Sequence, residues 1–186
     1  MAGRLMSVLL FVLLLGGCAS AYEVVPPGRH QIENAYTVDS QISWSRITQE
    51  RIELWTVDGP FLEGVRFYEV GSGQSLIAQG EDEQRLQFEP EMRAGEVMEF
   101  VVDSLAVGGV HDIKTLNLRP AKFGVTPGFR FELQFLTPDG LLMKGMALYA
   151  TIDDTLYLIL YTAPAIYYFE KYEDTVEHIF NSVELI

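Results

Sequence analysis

The chain has 186 residues, a length typical of one domain, and carries 26 acidic against 13 basic residues, a formal net charge of −13. This balance argues against nucleic-acid binding, which needs clustered Lys and Arg, and against adhesion to anionic lipid head groups. Cys18 is the only cysteine, so the chain cannot form an internal disulfide or a cysteine metal cluster.

The N-terminal residues have the layout of a secretory signal. Arg4 precedes a nearly unbroken apolar run from Leu5 to Leu15, which is too short to span a bilayer. The run ends in Leu15-Gly16-Gly17-Cys18, and this tetrapeptide resembles the lipobox of bacterial lipoproteins. The resemblance implies that residues 1–17 are a signal peptide and that Cys18 becomes the first residue, carrying diacylglycerol on its thiol and a further acyl chain such as palmitate on its amino group. Several acyl chains hold a protein firmly at a membrane.

The residues after Cys18 predict where the protein is sorted and how it is tethered. Ala19 and Ser20 follow the cysteine, and the absence of Asp there implies, by the same resemblance, the outer membrane, with the domain facing the periplasm. Pro26-Pro27-Gly28 and the lack of periodicity indicate that residues 18–34 are a lipidated N-terminus and flexible tether. Residues 35–186 are then the globular domain.

The first part of this domain predicts strands followed by a helix. Alternating apolar residues indicate strands over 36–44, 52–57 and 61–70, with Asp58-Gly59-Pro60 as a turn between the last two. The segment 90–107 changes to a helical period and ends before Gly108-Gly109. Its predicted buried stripe consists of Met98, Val101, Val102 and Leu105.

The second part predicts four strands, over 112–122, 129–135, 141–152 and 155–162, and a closing helix over 165–182. In the second of these strands four apolar residues alternate with Arg130, Glu132 and Gln134, which predicts one buried and one wet face. The fourth strand is apolar on both faces and is therefore expected at the centre of the sheet. The order of elements predicts an α+β fold, a single antiparallel sheet of about six to seven strands with helices packed on it.

The segment Phe129–Leu185 resembles the C-terminal half of the PsbP-like fold, which is shared with Mog and DcrB-like proteins. The resemblance rests on the order of parts: a Gly-containing strand (Gly145), an aromatic strand (Tyr157, Tyr161), the break Thr162-Ala163-Pro164, and a helix that begins near Tyr168-Phe169 and ends in Phe180-Asn181-Ser182-Val183. It implies an α-β-α sandwich and a non-enzymatic accessory or partner-binding role.

Candidate metal and catalytic residues are scattered. His30, His111 and His178 lack any paired spacing, and the acidic groups 81–83, 89–91 and 153–154 lack a Ca²⁺-loop pattern, so we expect no metal and no cofactor. His111 and Asp112 are neighbours, which in a regular strand point to opposite faces. The sequence therefore predicts no enzyme.

The tyrosine pair Tyr167 and Tyr168 is the strongest candidate for a binding surface. Phe169 and Tyr172 occupy the helix stripe, so Tyr167 and Tyr168 cannot both face inward with them, and an outward tyrosine pair beside Pro164 could anchor a partner because tyrosine is favoured at binding hot spots. The leading hypothesis is a membrane-anchored envelope lipoprotein that binds another envelope component. Two alternatives stay open: a small-ligand carrier with an apolar cavity lined by residues such as Phe131 and Met98, and a hydrolase or metal-dependent enzyme assembled from distant residues such as Asp58, His111 and Asp153.

Overall fold

The computed structural model describes residues 22–49, 52–77 and 86–186. Cys18 and residues 81–83 lie outside these ranges, so the predicted signal, lipidation site and first acidic group do too. The described residues form eleven strands and two helices, in this order: β1 (Glu23–Val25), β2 (Gly28–Ile32), β3 (Tyr36–Ser40), β4 (Trp44–Gln49), β5 (Ile52–Thr56), β6 (Gly64–Gly71), α1 (Ala94–Val107), β7 (His111–Phe123), β8 (Thr126–Leu136), β9 (Leu142–Ile152), β10 (Thr155–Pro164), α2 (Tyr168–Asn181) and β11 (Glu184–Leu185). Neither helix is long and apolar enough to cross a membrane.

The main sheet is larger than predicted. Eight antiparallel strands lie in the order β1-β4-β5-β6-β10-β9-β8-β7, and a second sheet has the order β11-β3-β2. The predicted single strand over 36–44 is divided between the two sheets because the chain bends after Ser40. The Ser40 hydroxyl donates to the Ile42 carbonyl at 2.7 Å and accepts from the Trp44 indole N–H at 2.8 Å, which closes the bend.

The domain begins earlier than the predicted boundary at residue 35. Within the stretch predicted to be a tether, β1 pairs with β4 and β2 pairs with β3. Val25 and Ile32 are buried in the core at the ends of these strands. Strands this short, separated by Pro26-Pro27, leave little periodicity, which is why the sequence pattern does not reveal them.

Strand β10 divides the molecule into two cores, as its two apolar faces predict. Leu156, Leu158 and Leu160 face α1, while Ile159 and Tyr161 face α2 and the small sheet. One helix therefore lies on each face of the main sheet, which is the layered arrangement that the PsbP-like resemblance implies.

Helix α1 buries a face one residue away from the predicted stripe. Its core residues are Val97, Phe100, Val101 and Ser104, whereas Met98 and Leu105 lie at the margin of the core. Both sets have helical spacing, and the face that contains the large Phe100 ring is the one buried. The helix begins after Arg93, whose N–H donates to the Glu96 carboxylate at 2.6 Å.

The face of β8 predicted to be wet is in fact where α2 packs. The Arg130 guanidinium forms an ion pair with Glu177 of α2 and lies 5.7 Å from the centre of the Phe180 ring. Glu132 on the same face accepts hydrogen bonds from Asn117 and Arg119 of β7. The alternating polar residues of β8 therefore mark a face whose side chains bond to α2 and to β7 rather than only to solvent.

Two glycine-to-alanine substitutions should affect stability differently. A Cβ at Gly128 would lie 2.4 Å from the backbone oxygen of Tyr149 on the neighbouring strand, so the strands would have to separate. At Gly95, in the first turn of α1, a Cβ meets nothing within 4 Å. We expect Gly128→Ala to lower the free energy of unfolding by about 1–3 kcal/mol and Gly95→Ala to leave it unchanged or raise it by up to about 1 kcal/mol. Urea denaturation of both variants measures this, and equal effects would contradict the packing described.

Candidate binding site

Four connections meet at one end of the main sheet, here called the loop end. They are residues 57–63, 108–110, 137–141 and 165–167, and the strand register places them together because Thr162 pairs with Gly64, Pro164 with Met143, and Leu136 with both Leu142 and His111. The Ala165 N–H also donates to the Leu142 carbonyl at 2.9 Å, which joins two of these connections directly.

Exposed apolar side chains are concentrated at the loop end. Phe61 is 95% exposed, Ile166 85% and Tyr167 62%. Eight of the fourteen large hydrophobic residues exposed in the described ranges lie here, the other five being Val57, Leu62, Val107, Leu141 and Leu142. Concentration of this kind on one surface is typical of an interaction site.

The tyrosine pair lies at the start of α2 within this surface. Tyr167, with φ of +73°, points outward, and its ring meets that of half-buried Tyr168 edge to face at 5.1 Å between centroids. The buried Tyr161 hydroxyl donates to the Tyr168 carbonyl at 3.0 Å and so fixes this turn from below. Ile166 is more exposed than either tyrosine, and sequence reasoning missed it, although an apolar residue between a proline break and an amphipathic helix is a usable signal.

Asp58 ties the β5–β6 connection to α2. Its Oδ2 accepts from the Lys171 ammonium at 2.7 Å and from the Tyr172 hydroxyl at 2.6 Å. The hydrogen bond from Lys171, followed by that from Tyr172, lowers the pKa of the Asp58 carboxyl, and the same contacts raise the pKa of Lys171. Lys171 also lies 4.8 Å from the centre of the Tyr172 ring and 5.5 Å from that of Tyr167.

The residues of the enzyme alternative are not brought together. Asp58 and His111 lie at the loop end, but Asp153 lies in the β9–β10 turn at the opposite end of the sheet. His111 and Asp112 do touch, at 3.4 Å between Nδ1 and Oδ2, contrary to the expectation of opposite faces. The reason is a β-bulge: Asp112 has φ of +54° and the β7–β8 register shifts there.

The other histidines have structural contacts. His30 lies in β2, with its Nε2 2.6 Å from the Pro26 carbonyl and its ring against Trp55. His178 on α2 lies 3.5 Å from Asp39. Within residues 22–49, 52–77 and 86–186, no three His, Cys, Asp or Glu side chains converge in a way that could hold a metal ion.

A pocket of about 290 Å³ opens at the loop end on the α1 side of the sheet. Its floor is formed by alternate residues of β6 and β10, and its walls come from the C-terminal end of α1, from β8 and β9, and from the β5–β6 connection. The lining residues are Pro60, Phe61, Leu62, Glu63, Arg66, Tyr68, Ile77, Leu105, Gly108, Val110, Phe135, Met143, Leu160 and Thr162. Phe131 and Met98, predicted to line a cavity, are not among them, and Phe131 is fully buried.

Three polar side chains face this otherwise apolar pocket from two central strands. Arg66 is half-buried and donates to the Thr162 hydroxyl at 2.9 Å. No carboxylate in the described ranges forms a salt bridge with it. Burial raises the pKa of the Tyr68 hydroxyl, so that group stays neutral. Sequence reasoning passed over these residues because their convergence depends on strand pairing.

Glu63 holds the loop that covers the pocket. The side chain is 1% exposed, and its Oε1 accepts from the Thr56 hydroxyl at 2.8 Å and from the N–H groups of Val57 and Asp58. Its Oε2 is buried without a hydrogen-bond partner. The carboxylate therefore shapes the β5–β6 connection from inside, while Asp58 fixes it to α2 from outside.

The lowered pKa of Asp58 gives a pH dependence with a definite sign. Because the folded state holds this carboxyl below its unfolded value of about 3.9, its contribution to stability is fully present above that pH and is lost as the pH falls through the folded value. Lys171→Met should raise the pKa of Asp58 toward the unfolded value, as measured by ¹³C NMR of the carboxyl. Glu170→Gln, on the exposed side of the same turn of α2, is the control. An unchanged Asp58 pKa in Lys171→Met would show that the ion pair does not form in solution.

Comparison with known proteins supports the fold of this chain and does not show its function. No protein-family model matches the chain, and no curated protein matches its sequence. Cyanobacterial PsbP (CyanoP) from Synechocystis sp. PCC 6803 is similar in structure, with a TM-score of 0.58 at 11% sequence identity over 93% of this chain and 99% of that one. LpqN of Mycobacterium tuberculosis, involved in cell envelope biogenesis, gives a TM-score of 0.45 at 9% identity over 91% of this chain and 87% of its own. The chain therefore has a PsbP-like fold.

Proposed function

We propose that this protein is a non-catalytic, lipid-anchored envelope domain that binds a protein partner through the loop end. The observation that carries the proposal is the group of exposed apolar side chains at the loop end, which come from three of its connections, from the last residue of α1 and from the first residue of β9. Phe61, Ile166 and Tyr167 are the most exposed of these residues. An apolar surface of this kind lowers its free energy when a partner covers it.

The loops that carry this surface are fixed before binding. Glu63 accepts three hydrogen bonds within the β5–β6 connection, and Asp58 joins the same connection to Lys171 and Tyr172. Tyr161 fixes the β10–α2 turn in the same way. A preorganised surface loses less conformational entropy when it binds, so more of the interaction energy contributes to affinity.

The N-terminal strand enters the main sheet beside the loop end. β1 pairs Val25 with Trp44 at the loop end and Glu23 with Arg46 two residues further along β4. An anchor on Cys18 would therefore hold the domain through a short segment that precedes β1. Outer-membrane sorting, with the domain in the periplasm, is part of the same proposal and rests on the residues after Cys18.

The contacts at the loop end favour binding over catalysis. The Asp58 carboxylate is occupied by Lys171 and Tyr172, and His111 contacts only its exposed neighbour Asp112 among the described acidic groups. A binding role is the simpler account of the site.

Site-specific crosslinking in cells tests the partner surface. With a photoreactive amino acid at Tyr167, we expect one discrete crosslinked product, which Ile166→Ser should reduce by about tenfold or more, the effect of losing a well-packed anchor. The matched control is the same probe at Val125, which is 87% exposed in the β7–β8 turn at the opposite end. Equal products from both positions, or a Tyr167 product that Ile166→Ser leaves undiminished, would show that the loop end is not the interface.

The proposed anchor has its own test. Wild-type protein should fractionate with membranes, incorporate labelled palmitate, and show by mass spectrometry a mature chain that begins at Cys18. Cys18→Ala should abolish incorporation of the label, because residue 18 then has no thiol to carry the lipid. Label retained by this variant, or a mature wild-type chain that does not begin at Cys18, would contradict the proposal, and this outcome is independent of the crosslinking result.

A further inference from the structure

We propose that the pocket at the loop end binds a small monocarboxylate with an apolar body, whose carboxylate pairs with Arg66 and whose body lies against Leu105, Met143 and Leu160. This inference goes beyond the protein partner proposed above. Phe61 belongs to both sites, but Ile166 and Tyr167 do not line the pocket and Arg66 is not part of the exposed apolar surface, so the two proposals are tested at different residues.

Arg66 is the residue that sets the ligand's charge. It projects from β6 onto the same sheet face as Tyr68 and Leu160, and it lines the pocket together with Glu63 and Thr162. Among the described residues its hydrogen bond goes to the neutral Thr162 hydroxyl rather than to a carboxylate. The planar fork of a guanidinium matches a carboxylate, and a charge-assisted pair of this kind is stronger than a hydrogen bond to a hydroxyl.

The second ionised group in the pocket limits the ligand to one carboxylate. Glu63 lines the same pocket with the opposite charge, and its three hydrogen bonds keep it in the β5–β6 connection. A second carboxylate on the ligand would lie beside this charge and be repelled. The hydroxyls of Tyr68 and Thr162 add neutral donors next to Arg66.

The size and position of the pocket favour a small molecule over a peptide. A volume of about 290 Å³ equals roughly ten water molecules, so a body of about ten methylene-sized groups fills it. The floor consists of side chains on β6 and β10, whose backbone groups are paired with strands on both sides. Recognition of an extended peptide requires free backbone donors and acceptors, which sheet edges offer and this floor does not.

Methionine-methyl NMR with decanoate tests the proposal. In the Cys18→Ala chain, which carries no acyl chains to compete with the ligand, decanoate should shift the Met143 methyl signal. The Met146 signal, from the opposite face of the same strand, is the internal control and should not move. Decanoate should bind about tenfold or more tightly than decanol, because the charge-assisted hydrogen bond is absent from the alcohol.

Substitutions at Arg66 test whether its guanidinium binds the carboxylate of decanoate. Arg66→Met should reduce decanoate affinity to that of decanol and leave decanol affinity unchanged, whereas Arg66→Lys should retain part of the preference. Lys122→Gln, an exposed change at the other end of β7, should alter neither. Thermal melting of each variant verifies folding, and the decanoate–decanol comparison on the parent chain does not depend on any substitution at Arg66.

Four results would overturn the proposal: no Met143 shift with decanoate, equal shifts of Met143 and Met146, equal affinities for decanoate and decanol, or full decanoate affinity in Arg66→Met. An acetylated Leu-Leu-Leu peptide with a free carboxylate is the remaining arm. Tighter binding of this peptide than of decanoate would replace the small molecule with a protein C-terminus.

Discussion

Strand β10 is buried on both faces, and a strand in that position needs covering layers above and below it. Leu158 belongs to the core under α1, and its neighbour Ile159 belongs to the core under α2. The covering layers are shorter than the sheet. Helix α1 has 14 residues, about 21 Å, whereas the 10 residues of β10 extend about 33 Å. The floor of the pocket is the part of this sheet face between the C-terminal end of α1 and the β5–β6 connection, both of which form its walls.

Two carboxylates, those of Glu63 and Asp58, determine the shape of the β5–β6 connection at the loop end. Glu63 accepts donors from Thr56, Val57 and Asp58, and Asp58 in turn accepts from α2. A single seven-residue connection is thereby fixed from both sides, and it forms one wall of the pocket and part of the exposed apolar surface. The partner surface and the ligand pocket thus share this support and the side chains of Phe61 and Leu62, whereas Arg66 belongs to the pocket alone and Ile166 and Tyr167 belong to the surface alone.

Sequence patterns predicted the parts of the fold that depend on the residues of one strand or one helix alone. Two-faced hydrophobicity placed β10 at the centre, and helical spacing identified the buried residues of α2, Phe169 and Tyr172 among them. The PsbP-like arrangement followed from the order of these segments. Patterns failed where a tertiary contact decides the outcome: the Ser40 bend divides one predicted strand, Arg130 pairs across layers, and β1 gains its stability from β4.

The candidate site was predictable only in its outermost part. Tyr167 could be found because a helix stripe leaves no inward place for it, whereas the juxtaposition of Arg66, Glu63 and Thr162 arises from strand pairing over long sequence separations. The pairing of β1 with β4 also limits how far the domain could stand from a membrane. If the proposed anchor on Cys18 is correct, the four residue steps between Cys18 and Tyr22 span at most about 14 Å of extended chain. The domain would then stay close to the bilayer surface, and its encounter with a membrane-bound partner would be a search in two dimensions.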